Sequence, residues 1–384
     1  MARALYIHWP FCIAKCPYCD FNSHVRESAD MAAWKAALIA DMRHEYAEAG
    51  SQGSLASIFF GGGTPSLMPP TLVAALLAEA ERLWVFDPAI EITLEANPSS
   101  VEAANFADLA AAGVNRVSLG VQSLRDDALK FLGRLHGVDE ALGAVELAQT
   151  HFGRVSIDLI YARPGQTEAQ WRTELGEALE LGTDHMSLYQ LTIEPATRFA
   201  TDVRRGMFEP LDDDNAADLF ALTRQMTAAA GLPAYEISNH AQPGQESRHN
   251  LTYWRYHDYI GIGPGAHGRR RDVATVRHRK PENFLSAMKA QGHGIGEARR
   301  LDRGEQASEA LLMGLRLAEG IDLAALARRF DGTPSALVDE TKLALYRDLG
   351  LVWMDRERIG VTPRGMPLLD ALLGEVVRTD LVTS

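Results

Sequence analysis

The sequence predicts an α/β fold, a partial (β/α)6 barrel followed by a smaller C-terminal helical, winged-helix-like domain. Three observations predict it. Short apolar segments alternate with amphipathic helical segments six times in succession, the pattern of a parallel sheet with covering helices. Polar or glycine-rich groups follow the apolar segments directly, where a βα barrel gathers its active-site face. Beyond about residue 237 the alternation stops, and helices followed by a short hairpin close the chain. A doubly wound open sheet is the alternative, and it would spread the same groups along a crevice.

Strands are expected at Leu5–His8, Ser57–Phe60, Ile90–Glu95, Arg116–Leu119, Val155–Ile160 and His185–Leu191. Helical periodicity falls near Met31–Ala49, Thr71–Trp84, Val101–Ala112, Asp126–Thr150, Glu168–Leu181 and Asp213–Ala230. The last follows Asp212-Asp213-Asp214, a helix start because acids complement the positive N-terminal end. Strand ends carry Cys12–Cys19, Gly61-Gly62-Gly63-Thr64-Pro65, Glu95-Ala96-Asn97-Pro98, Gly120-Val121-Gln122-Ser123, Asp158 and Gln190-Leu191-Thr192 in turn. After Tyr235-Glu236-Ile237, the strings His249–Tyr256 and Gly261–Gly268 read as loop-like. Helices are expected again near Gln306–Ala318, Leu323–Phe330 and Ser335–Leu349. Then come Leu351–Met354, a turn at Asp355–Arg358, Ile359–Val361 and a last helix from Thr362. The resulting division is a barrel over 1–240, a connecting segment over 241–304 and a winged-helix-like unit over 305–384.

The 384 residues suffice for one large and one smaller unit. No apolar run approaches the roughly 20 residues of a membrane-spanning helix. The net charge of −13 excludes a general nucleic-acid binder, which needs a basic surface. One local basic run, Arg269–Arg271 to Arg277–Lys280, is by default a solvated loop and by alternative an anion site for propionates or phosphate. The start has no signal-peptide order, and with three reduced cysteines this points to the cytoplasm.

Those three cysteines, Cys12, Cys16 and Cys19, are all the chain has, and they lie in one C-x3-C-x2-C loop. An odd count fits disulfides poorly. Three thiolates without a fourth cysteine hold a [4Fe–4S] cluster with one iron open to an exogenous ligand. A Cys3His zinc site completed by His8 or His24 is the alternative. Zinc C-x2-C pairs normally come with a second, distant ligand pair, which is absent here, so the spacing favours iron–sulfur.

Gly61-Gly62-Gly63 removes Cβ atoms beside a buried strand and lets backbone approach a ligand closely, although three glycines also make a plain turn. S-adenosylmethionine meets the need of an open iron, with amino and carboxylate groups that chelate it. Glu95 and Asp158 would accept from an amine or ribose hydroxyls, and Gln122 and Arg134 would satisfy polar and carboxylate groups. Each of these residues alone also reads as a strand-end cap or surface pair.

The set Tyr6–Cys12, Cys16-Pro17-Tyr18-Cys19, Gly61–Ser66, Gly120–Ser123 and Asp158–Tyr161 resembles the radical S-adenosylmethionine superfamily, in the branch around oxygen-independent coproporphyrinogen III dehydrogenase. The resemblance runs over nearly the whole chain. It implies cluster ligation by Cys12, Cys16 and Cys19. It also implies S-adenosylmethionine contacts from Tyr6, Tyr18, Gly62, Gly63, Thr64, Glu95, Gln122, Arg134 and Asp158, with His136 as a rival to Arg134. Within the branch the chain is most similar to the heme chaperones. The decarboxylating enzymes carry a further cysteine where this chain has Phe21, and an N-terminal extension ahead of the first strand. His249-Asn250-Leu251-Thr252-Tyr253-Trp254 matches the H-N-x-x-Y-W motif of the chaperones, implying heme contact by His249, Asn250, Tyr253 and Trp254. Read without the resemblance, a histidine in such an aromatic string is by default structural.

The implied cofactors are a [4Fe–4S] cluster, S-adenosylmethionine and heme. The implied partners are a heme-accepting apoprotein and a low-potential electron donor such as flavodoxin or ferredoxin. Peripheral contact with membrane proteins is allowed and nucleic acid is excluded. Dehydrogenase activity on coproporphyrinogen is the alternative function and is not expected. Radical cleavage of S-adenosylmethionine is left open, and no catalytic residue is assigned.

Overall fold

The computed structural model describes residues 2–26, 28–49, 53–356 and 358–377. Six parallel strands follow one another across the sheet in chain order: β1 (Ala2–Trp9), β2 (Ser54–Gly62), β3 (Val85–Ala96), β4 (Arg116–Gln122), β5 (Arg154–Tyr161) and β6 (His185–Gln190). All six expected strands are present, each within a few residues of its expected ends. The sheet does not close. β7 (Asn239–Ala241) pairs antiparallel with β6 at one side, and β8 (Asp258–Ile262) lies parallel to the free side of β1. β9 (His267–Arg270), β10 (Val273–Arg277) and β11 (Ile295–Arg300) continue beyond β8 as an antiparallel meander, making eleven strands.

This corrects the expectation for the stretch after Ile237. The string His249–Tyr256 is mostly helix (Arg248–Trp254), and Gly261–Gly268 joins two strands. Its glycines hid the strand signal because they sit where neighbours leave no room. A Cβ on Gly261 would lie 1.9 Å from the His267 carbonyl oxygen.

Three expected helices are interrupted. Val101–Ala112 is split into Ser100–Ala103 and Phe106–Ala111, Asp126–Thr150 into Asp126–Phe131 and Val138–His151, and Ser335–Leu349 into Pro334–Leu337 and Glu340–Asp348. The second break turns on Gly133 at φ 67°, and it swings Arg134 toward the strand ends. A short helix that the sequence reading passed over, Arg198–Arg204, packs Phe199 against Tyr18 and Phe131.

Strand register separates two chemistries. Leu5, Ile7, Ile58, Phe60, Ile92, Leu94, Val117, Leu119, Val155, Ile157, Met186 and Leu188 alternate onto the outer face and form one buried core under the helices. Each such side chain contributes roughly 1.5–3 kcal/mol when fully buried. The intervening residues face the barrel interior: Tyr6, His8, Ser57, Glu91, Thr93, Glu95, Arg116, Ser118, Ser156, Asp158, His185 and Ser187. An unpaired buried polar group costs about 1–3 kcal/mol, so this interior must satisfy itself or a ligand.

From Arg303 onward, helices Arg303–Gly314, Leu323–Arg329 and Glu340–Asp348 accompany a three-stranded antiparallel sheet. Arg358–Val361 lies between Ile321–Asp322 and Val352–Asp355 in that sheet. These elements share an apolar core around Leu311, Leu326, Ile359 and Leu372. This is the expected winged-helix shape. Residue 357 of the expected turn and the last seven residues lie outside the described residues.

Candidate functional site

The C-terminal ends of the parallel strands open into a cleft of about 520 Å3 lined by the cysteine loop, Gly62–Thr64, Glu95–Asn97, Gln122, Arg134–His136, Asp158 and Tyr189. The loop is pinned at both ends. Phe11–Cys12 bridges to His24–Val25. The Asn22 side-chain amide donates to the Pro264 and Arg279 carbonyls, both at 2.9 Å, and the Asn22 carbonyl meets His8 Nε2 at 2.9 Å. In its middle, the Phe199 amide donates to the Pro17 carbonyl at 3.0 Å. All three thiols are free and partly exposed. Cys16 Sγ accepts from Arg134 Nη1 at 3.4 Å, and Cys19 Sγ lies 4.0 Å from Ser23 Oγ. Among the described residues, no three His, Cys, Asp or Glu side chains gather closely enough to hold one metal ion.

The glycine turn works differently from its sequence reading. Its amides are spent within the protein: Gly62 N–H donates to Glu95 Oε2 at 3.1 Å, Gly63 to the Trp9 carbonyl at 2.7 Å and Thr64 to the Phe11 carbonyl at 2.8 Å. The missing Cβ atoms make room for the protein's own groups. A Cβ on Gly61 would sit 2.8 Å from the Tyr6 ring, one on Gly62 2.5 Å from the His8 ring, and one on Gly63 2.6 Å from the Phe11 carbonyl oxygen. Gly62 also has φ +118°, which side chains rarely adopt. The turn is therefore laid flat on a bed of rings and held against the cysteine loop.

Glu95 and Asp158 face each other across the cleft floor. Burial first, then the charge of Asp158, pushes the Glu95 carboxyl up to about 8. Asp158 accepts from Ser118 Oγ at 3.0 Å, and burial raises its pKa as well. Gln122 sits at φ 68°, a left-handed strain fixed from behind, where Glu174 accepts from Ser123 Oγ and the Leu124 amide and pairs with Arg163. The Gln122 side-chain oxygen is buried and has no partner. Arg134 donates to Asn97 Oδ1, the Gly120 carbonyl and Cys16, yet its Nε is likewise buried and unpartnered. His136, the rival, is turned onto the Val121 carbonyl at 3.1 Å.

Sequence reasoning missed two residues here. Asn97 bridges Arg134 to Thr64 Oγ1, and buried Glu102 accepts from Asn97, Ser66 and Ser99. The Ser99-x-x-Glu102 spacing was a legible helix-start signal, since Ser99 caps the helix that presents Glu102.

Not every expected contact reaches the cleft. Tyr18 lines it, whereas Tyr6 lies beneath Gly61 with its hydroxyl on His8 Nδ1 at 3.0 Å. The motif His249–Trp254 lies elsewhere, on the helix that closes the opposite end of the barrel. Glu91 accepts from the Arg248 and His249 amides there and pairs with Arg154. His249 is buried, with Nδ1 3.1 Å from Ser57 Oγ and Nε2 2.7 Å from Tyr253 Oη. Burial holds its pKa down to about 3, so the ring is neutral and each nitrogen is taken. In this arrangement it offers no free nitrogen to a heme iron. Asn250 reaches the Tyr235 hydroxyl at 3.5 Å, and Trp254 is half-buried.

The cleft fits a cluster together with a ligand that bears an amine, a carboxylate and hydroxyls. It joins three thiols on one loop to a carboxylate pair, an amide oxygen and a guanidinium N–H that no protein group satisfies. Cys12, Cys16 and Cys19 would hold the cluster, and Glu95, Gln122, Arg134 and Asp158 the ligand. A cluster held there would supply a low-potential redox centre beside that ligand. The residues themselves orient the ligand and supply its hydrogen-bond partners.

Comparison with known proteins agrees with this geometry. Residues 6–176 match the radical SAM superfamily and residues 301–368 the HemN C-terminal domain. Radical S-adenosyl methionine domain-containing protein 1, mitochondrial, of Mus musculus is 41% identical over 83% of this chain and 74% of its own length. Heme chaperone HemW of Escherichia coli (strain K12) is 40% identical over 82% of this chain and 83% of its own length. Heme chaperone HemW of Bacillus subtilis (strain 168) is 32% identical over 97% of this chain and 100% of its own length. Among solved structures, coproporphyrinogen III oxidase (HemN) from Escherichia coli superposes with a TM-score of 0.82 at 21% identity, covering 99% of this chain and 90% of that one, a shared fold. The chain belongs to the radical S-adenosylmethionine superfamily, in the family of heme chaperone HemW.

Proposed function

We propose that this protein is a heme chaperone that binds a [4Fe–4S] cluster and S-adenosylmethionine in the barrel cleft and passes heme to an acceptor apoprotein. The observation that carries the cofactor half is the convergence of three free thiols with Glu95, Asp158 and the unpartnered atoms of Gln122 and Arg134 on one cleft. The heme half is supported by relatives named as heme chaperones at 32% and 40% identity over most of the chain. Electrons come from a low-potential donor of the flavodoxin or ferredoxin kind. The cytoplasm is the proposed compartment; among the described residues no helix is long and apolar enough to cross a membrane. We also propose the division at about residue 304, with residues 241–304 contributing strands to the barrel's own sheet.

Heme contact at His249, Asn250, Tyr253 and Trp254 belongs to a state in which helix Arg248–Trp254 has left the barrel floor, because His249 is otherwise saturated with hydrogen bonds. The test is one anaerobic preparation assayed for iron, sulfide, heme binding and conversion of coproporphyrinogen III. The expected result is iron and sulfide, a Soret band at one heme per chain, and no conversion. Decarboxylation without heme binding would assign the dehydrogenase function instead, and stoichiometric zinc without sulfide would remove the cluster.

A further inference from the structure

A continuous stack of rings runs through the barrel from its floor to the glycine turn. His249 stacks on Phe59, with centroids 4.8 Å apart and planes 22° apart. Phe59 stacks on Tyr6 at 6.2 Å and 27°, and His249 also meets Tyr6 directly at 6.2 Å and 32°. Tyr6 lies under Gly61 and bonds through its hydroxyl to His8, whose ring fills the space under Gly62. The same His8 ring holds the Asn22 carbonyl at the end of the cysteine loop. The stack therefore touches both walls of the cleft without lining it, since none of His249, Phe59, Tyr6 and His8 is among the lining residues. At the lower end the stack is anchored by the two hydrogen bonds of His249 to Ser57 and Tyr253.

We propose that His249 is a positioning residue for the cleft: through Phe59, Tyr6 and His8 it sets the height of Gly61–Gly63 against the cysteine loop, and so the affinity for S-adenosylmethionine. Rings in contact move together because packed interiors leave no slack. Removing the bottom ring lets Phe59 and Tyr6 settle, and the glycines, with no side chains of their own, follow what supports them. The role rests on the proposed function, because it concerns the same ligand, but it requires no heme. It also couples two events: a heme that captures His249 must first withdraw the support of the glycine turn.

The test uses heme-free, cluster-reconstituted full-length protein and reads S-adenosylmethionine affinity and the ligand-induced change in the reduced cluster's EPR signal. His249→Ala is expected to weaken binding by about tenfold and blunt the EPR change while keeping the wild-type iron and sulfide content. Phe59→Leu, which removes the ring packed against both His249 and Tyr6 without touching the motif, is expected to do the same. The double variant is expected to lose little more than either single one, because both act through one contiguous element. Phe59→Tyr, which keeps a ring in place, is expected to restore near wild-type affinity. Wild-type affinity in Phe59→Leu overturns the proposal, and that variant alone decides if His249→Ala does not hold a cluster. Additive losses in the double variant also overturn it. A wild-type protein with a cluster that ignores S-adenosylmethionine overturns the proposed function and this inference together, whereas a responsive wild type with indifferent variants overturns the inference alone.

Discussion

The two ends of the barrel are built from the same kinds of residue and satisfied to different degrees. At the floor, Glu91 is shared among Arg154, Ser247 and two helix amides, and both nitrogens of His249 are bonded. At the mouth, a carboxylate pair is crowded together, Gln122 is strained, and polar atoms of Gln122 and Arg134 are buried without partners. Buried polar groups in a folded protein are paired as a rule, so an unpaired set gathered in one cleft marks where something else binds. Residue type does not separate structure from site here. Unpartnered atoms occur at both ends, since Arg116 Nε beside Glu91 is also buried without a hydrogen bond, but only at the mouth do they gather with a carboxylate pair and three thiols on one cleft.

The largest expected effect lies at the mouth. Replacing Cys12, Cys16 or Cys19 by Ala should abolish the cluster, expected at about four iron and four sulfide per chain, because no other cysteine exists to substitute. Iron and sulfide analysis after anaerobic reconstitution checks it, and a variant that keeps its full cluster would break the assignment. Glu91→Ala should act on the fold. It strips a buried acceptor from Arg154 and two helix amides, so a loss of about 3–5 kcal/mol in denaturant unfolding is expected. A loss below 1 kcal/mol would mean the floor is less tightly tied than its hydrogen bonds indicate.

Glu95→Gln is expected to weaken S-adenosylmethionine binding by about 1–3 kcal/mol with little effect on unfolding. Its pH dependence sharpens the contrast. With its carboxyl held near 8 by burial and by Asp158, Glu95 is mostly protonated at neutral pH in the ligand-free cleft. The N–H groups of an iron-bound amine donate better to the ionised carboxylate, so affinity should rise between pH 6.5 and 8.5 and flatten in Glu95→Gln. The same shift implies a stability contribution that is present below the ordinary carboxyl range near 4.5 and lost as pH rises through 8. At the small end, Ser99→Ala removes the cap from the helix carrying Glu102 and should cost about 1 kcal/mol in unfolding.

Much of the fold was legible because strand alternation and helix periodicity are local signals. Leu5, Ile7, Ile58 and Phe60 announce an outer face, and the cysteine spacing announces its loop. The strands past Ile237 were hidden because Gly261 and Gly263 are dictated by distant neighbours, the His267 and His8 carbonyls. The break at Gly133 was hidden inside a continuous helical period, and with it the route by which Arg134 enters the cleft. Tyr6 and His249 were legible as important residues but not as supports. Their partners, Phe59 and Ser57, come from a strand whose register only the folded sheet fixes. Asn97 carries no motif of its own, and the Ser99-x-x-Glu102 spacing announces a helix start but not that Glu102 ties the turn together.

The central claim is that the mouth of the barrel, with its unpartnered polar atoms beside three thiols, receives S-adenosylmethionine against an iron–sulfur cluster. The most direct measurement is the EPR spectrum of the anaerobically reconstituted, reduced protein with and without that ligand. A cluster signal whose shape changes at saturating S-adenosylmethionine, and does so less in Asp158→Ala, is the predicted result. A cluster signal identical with and without the ligand would contradict it.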